Sequence, residues 1–127
     1  MFRQPRNSPY VNQEITPKRP PGWDPAHNAH YPIEKWYKEM THWIMATDVP
    51  QERRGALVVL QLGGQAREIA ETIPLANLRN GGPMAVQPGQ PPVAVDGVLF
   101  LMMTLLQKFQ ALTIETAIRA MTAYQTF

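Results

Sequence analysis

A small all-α bundle of about five helices, carried behind a disordered proline-rich N-terminal arm, is the architecture this sequence predicts. Three observations point there. Prolines crowd the first 32 residues (Pro5, Pro9, Pro17, Pro20, Pro21, Pro25 and Pro32) and a second stretch between Pro83 and Pro92. Between and beyond these stretches, apolar side chains recur at the three- and four-residue spacing of one helical face. The one short run that could be a buried strand, Ala56 to Leu60, is flanked by helix formers and has no partner strand in view.

Residues 1–31 mix Pro, Asn, Gln, Arg and Gly with few aliphatics. Such a segment buries too little apolar surface to offset its ordering entropy, so it reads as disordered or polyproline-like. The chain carries a formal net charge of +2. Arg3, Arg6, Lys18 and Arg19 outnumber Glu14 and Asp24 in the arm, whereas from residue 32 onward basic and acidic side chains balance. The arm is therefore a solubilising tail or, through those four cations, a candidate for weak contact with RNA or another anionic surface.

Helix by helix, Pro32 suits a first helical position, because its missing N–H would have no partner there. A helix from Pro32 to about Ala46 follows, with Ile33, Trp36, Tyr37, Met40, Trp43 and Ile44 on one face and Glu34–Lys38 as a stabilising pair. Asp48-Val49-Pro50 restarts the chain for a helix over about Gln51 to Leu62. Gly63-Gly64 marks a break or a tight helix crossing, and a third helix covers about Gln65 to Ile73 and stops before Pro74. Residues 74–79 add a further turn, and 80–95 read as a Gly/Pro loop, long for a compact domain. Asp96 is the expected N-cap of a deeply buried helix over about Gly97 to Phe109. A last helix capped by Thr113 presents Ile114, Ala117, Ile118, Met121 and Tyr124. The chain ends at Phe127 without a C-cap signal, so the helical domain, residues 32–127, reads as truncated.

The residues point away from catalysis and toward binding. No cysteine is present, which excludes disulfides, thiolate nucleophiles and cysteine-ligated zinc. His27 and His30 have only Asp24 near them, short of the three or four framed ligands a metal needs. His42 reads as a solvated side chain on the polar side of the first helix. No serine follows Ser8, the carboxylates are dispersed among basic neighbours, and Gly63-Gly64 lacks a phosphate loop's lysine. The expectation is a non-enzyme that needs no cofactor. No apolar run reaches the 18 or more residues of a membrane span, and Met-Phe-Arg-Gln-Pro opens the chain without a signal-peptide core. The expected setting is therefore intracellular, in the cytoplasm, with no membrane contact. Trp36 and Trp43, seven residues apart with Met40 between them, are either core anchors or a hydrophobic groove for a peptide or a neighbouring subunit.

Residues 32–127 resemble the Gag-like (capsid) region of retrotransposon polyproteins. The residues that carry the resemblance are Trp36 and the Trp43-to-Asp48 end of the first helix, and the run from Arg53 to Glu68 with its glycine pair. Leu105, Lys108-Phe109, Leu112 and the segment from Arg119 to Phe127 complete it. The resemblance implies an all-α capsid lobe that self-associates into a shell around element RNA, with no catalytic residues to carry over. It also implies that RNA contact falls to the arm, since a zinc knuckle would need cysteine. The competing expectation is an interaction module or accessory subunit whose arm lies along a partner protein or nucleic acid.

Overall fold

The computed structural model describes residues 15–85 and 87–110. Among the described residues, five α-helices and a two-stranded ladder enclose one hydrophobic core. The expected helix capped by Thr113 and the basic residues Arg3 and Arg6 lie outside the described residues.

Helix α1 (Ile33–Ala46) buries Ile33, Trp36, Met40 and Trp43, the i, i+3, i+7, i+10 stripe that the sequence pattern predicts. Pro32 is its N-cap rather than its first residue, with an extended ψ of 157°. The Asn28 side chain supplies what the proline cannot, its Oδ1 accepting from the Ile33 N–H at 3.2 Å. Helix α2 (Gln51–Leu60) contains the Ala56-to-Leu60 run, so the helical reading of that run holds. It ends two residues short of Leu62, because Leu62 leaves the helix to form an isolated parallel bridge with Trp23. Gly63-Gly64 is the break before α3 (Gly64–Glu71), and the pair backs onto the carboxylate of Asp24 rather than onto another helix.

The turn expected at 74–79 is helix α4 (Leu75–Asn80), with Pro74 as its N-cap. Residues 80–95 are not wholly loop: strands β1 (Gly82–Met84) and β2 (Val93–Val95) pair antiparallel, with Gly82 opposite Val95 and Met84 opposite Val93. Gly81 makes the pairing accessible. It takes φ +80°, and a Cβ there would stand 1.8 Å from the Val95 carbonyl oxygen. Helix α5 follows over residues 97–110. Asp96 caps it as expected: its Oδ1 accepts from the Leu99 N–H at 3.0 Å, while its Oδ2 accepts from Gln51 Nε2 at 2.8 Å. One carboxylate thus fastens the start of α2 to the start of α5.

Val98, Leu101, Met102, Leu105 and Phe109 of α5 are buried against α1 and α2 residues in a single cluster. The Leu78 carbonyl of α4 is held between Gly55 of α2 and Gly97 of α5. A Cβ would stand 2.6 Å from that oxygen at position 55 and 1.9 Å at position 97. Among the described residues no helix is long and apolar enough to cross a membrane.

The folded part begins earlier than residue 32. Pro20, Pro21, Trp23 and Tyr31 are all buried, so these residues of the expected arm belong to the core, while Ile15 to Arg19 run exposed beside it. Composition misjudged them because their ordering is stabilised by acceptors and aromatic surface on α1, which a local reading of prolines does not register.

Candidate interaction site: the arm on the tryptophan face

The site grows from two complementary deficits. Proline-rich backbone offers carbonyl oxygens but few N–H donors. Indole offers one N–H donor and no acceptor. On α1, Trp36 and Trp43 fall on the same face and present those donors to the arm. Trp36 Nε1 donates to the Pro21 carbonyl at 3.0 Å, and Trp43 Nε1 donates to the Thr16 carbonyl at 2.9 Å. Thr47 Oγ1, just past the end of α1, donates to the Pro17 carbonyl between them. The Gly63 N–H donates to the Trp23 carbonyl at 2.9 Å. Four arm carbonyls in eight residues are thereby satisfied by groups of the body.

Trp23 anchors the arm. Its ring lies 6.3 Å from that of Trp36 and meets Phe109 edge-on at 5.0 Å, which joins the arm to both α1 and α5. Its own N–H donates to the Tyr31 carbonyl at 2.8 Å. Beyond it, Asp24 caps a 3-10 turn (Pro25–His27), its Oδ1 accepting from the Ala26 N–H at 2.9 Å. This places His27 and His30 in an ordered turn, not in the disordered segment expected for them.

The predicted groove residues are therefore core. Trp36 and Met40 have no exposed surface and Trp43 is 3 % exposed. The face they form is filled by the chain's own residues 16–23, which leaves no open groove there. Of the arm cations, Lys18 and Arg19 are exposed, and Lys18 Nζ sits 3.2 Å from Asp48 Oδ1. His42 is exposed, as expected for the polar side of α1.

Beside the arm runs a cleft of about 500 Å³. Ile15, Pro21, Gly22 and Trp23 form one wall, the 3-10 turn and the start of α1 another, and the end of α2 the third. Tyr31 donates its hydroxyl to Glu39 Oε1 at 2.5 Å across one side of this cleft. Burial, then the Glu39 hydrogen bond and charge, push the Tyr31 hydroxyl well above the usual phenol range, so it remains a donor. Tyr37 is raised as well, by burial. Among the described residues no group of three or more His, Cys, Asp or Glu side chains is placed to hold a metal ion.

Sequence reasoning missed Thr16, Pro21, Trp23, Thr47 and Gly63 as members of this site. One signal was available: Trp23 is a large apolar residue with no role in a solvated tail. The chain matches no protein-family model, no curated protein and no solved structure.

Proposed function

We propose that this chain is a non-enzymatic protein–protein interaction domain that self-associates, in the manner of the capsid lobe of a retrotransposon Gag polyprotein. The observation that carries the reading is the attachment of the arm. A proline-rich segment, folded into a turn at Thr16–Arg19 and running on through Pro20 to Trp23, is held through its main-chain carbonyls by indole donors on a helix. The domain thus already performs a recognition event on its own chain. Both carboxylates that line the cleft have structural work: Asp24 caps the 3-10 turn and Glu39 accepts from Tyr31. Support for the Gag-like form of the proposal is the residue pattern from Trp36 to Phe127 and the mainly helical setting of its described part. Of the four arm cations named for RNA contact, Lys18 faces the Asp48 carboxylate of the body at 3.2 Å.

Static light scattering across protein concentration and salt tests the proposal. The expected result is a molecular mass that rises with concentration. A strict monomer under every condition overturns self-association.

A further inference from the structure

We infer that the arm is an exchangeable element, so that residues 16–23 of one copy occupy the Trp36/Trp43 face of a second copy and tie the two together. The inference rests on the self-association reading and names its mechanism.

The first argument is the chemistry of the clasp. Four bonds that fix residues 16–23 to the body run from a body donor (Trp36, Trp43, Thr47, Gly63) to an arm main-chain carbonyl, and an exposed Lys18–Asp48 ion pair joins them. The same segment from another copy satisfies these donors identically, and Trp23, Pro20 and Pro21 bury the same surface wherever they come from. Exchange therefore conserves the contacts of residues 16–23, and its cost is the entropy of bringing two copies together plus the local bonds of the opened link.

The second argument is the link. Arm and α1 are joined by residues 24–30, where Ala26, Ala29 and His30 are exposed. The turn is closed by the local bonds His27 N–H to Asp24 O and Asn28 N–H to Pro25 O, at 3.0 and 3.1 Å. Opened out, seven residues reach about 25 Å, comparable to the diameter of a domain this size.

The third argument is the cleft. It runs beside the arm along Ile15, Pro21, Gly22 and Trp23, so these residues border open space on one side while Pro21 and Trp23 stay buried on the other. Ile15, 50 % exposed, and Leu60, 60 % exposed, stand on its walls, where a second body delivering or receiving an arm would cover them.

The chain has no cysteine, so engineered thiols report specific positions. Lys18 and Asp48 meet across the arm–body contact and both are exposed, which makes K18C and D48C suitable variants of the full chain. The two single variants are mixed at high concentration, incubated, and treated with a short bis-maleimide, and products are separated under denaturing conditions. The expected result is a K18C–D48C covalent heterodimer that grows with concentration and exceeds the homodimer from either variant alone. The K18C/D48C double variant, cross-linked dilute, should close within one chain, and concentrated it should yield covalent dimers. If the double variant closes only within the chain at every concentration and the mixture yields no excess heterodimer, exchange is overturned. Light scattering on the same samples separates the two ideas: oligomers without heterodimer overturn exchange alone, and monomers throughout overturn self-association with it.

Discussion

The indole N–H of Trp36 donates to the carbonyl of Pro21 at 3.0 Å, joining the buried centre of α1 to the proline-rich arm. Both partners are shielded from water, so neither has a substitute if the other is lost. Trp36→Phe removes the donor and part of the ring, and should cost about 2–4 kcal/mol in urea unfolding. Trp43→Phe breaks a less buried bond to Thr16 and should cost clearly less, about 1–2 kcal/mol. Equal costs for the two variants would contradict the burial order.

Asp96 joins two helix starts, and its variants should separate those roles. Asp96→Ala removes the cap of α5 and the acceptor for Gln51, with an expected loss of about 1–2 kcal/mol. Asp96→Asn keeps a capping oxygen and should recover most of that. Thermal unfolding of both variants measures the difference.

Backbone crowding gives a sharper contrast. Gly97→Ala drives a methyl group into the Leu78 carbonyl, and the expected outcome is severe loss of stability or failure to fold. Gly89→Ala meets no atom within 4 Å and pays only for its φ of +78°, about 1–2 kcal/mol. Soluble yield and unfolding midpoints of the two variants test this.

Alkaline pH should weaken the fold. The Tyr31 and Tyr37 hydroxyls titrate higher in the folded chain than in the unfolded chain, whose phenols ionise near pH 10. Their contribution is complete below that pH and declines above it, because the unfolded state then holds fewer protons. The limiting slope is about 1.4 kcal/mol per pH unit for a single tyrosine. Stability measured from pH 8 to 11 should be level and then fall, and Tyr31→Phe should flatten the fall.

How much of this was legible in the chain can be judged residue by residue. The α1 stripe and the Asp96 cap were readable because both are local: helical periodicity and a side chain three residues from its donor. The β1–β2 ladder was not, since three-residue strands such as Val93–Val95 are too short to alternate convincingly. The docking of residues 15–31 was legible only through Trp23, a large apolar residue out of place in a solvated tail. Its acceptors are main-chain carbonyls, which every sequence has, and its donors lie 15 and 27 residues away. Trp36, Met40 and Trp43 were rightly singled out, but sequence could not say that the chain itself covers them.

The Leu78 carbonyl, held between Gly55 and Gly97, has a consequence for how the molecule comes apart. With no side chain to yield at either contact, α2, α4 and α5 cannot slide past one another separately and should open as one cooperative unit. The arm makes one contact of this kind, where a Cβ at Gly22 would stand 2.5 Å from the Gln61 carbonyl oxygen, and its release while that unit stays closed is the expected cheaper opening. In hydrogen exchange the amides of α2 and α5 should report global unfolding, while the Gly63 amide, bonded to the Trp23 carbonyl, should exchange through a cheaper opening. The molecule would then be a two-tier object, a rigid block wearing a detachable strap.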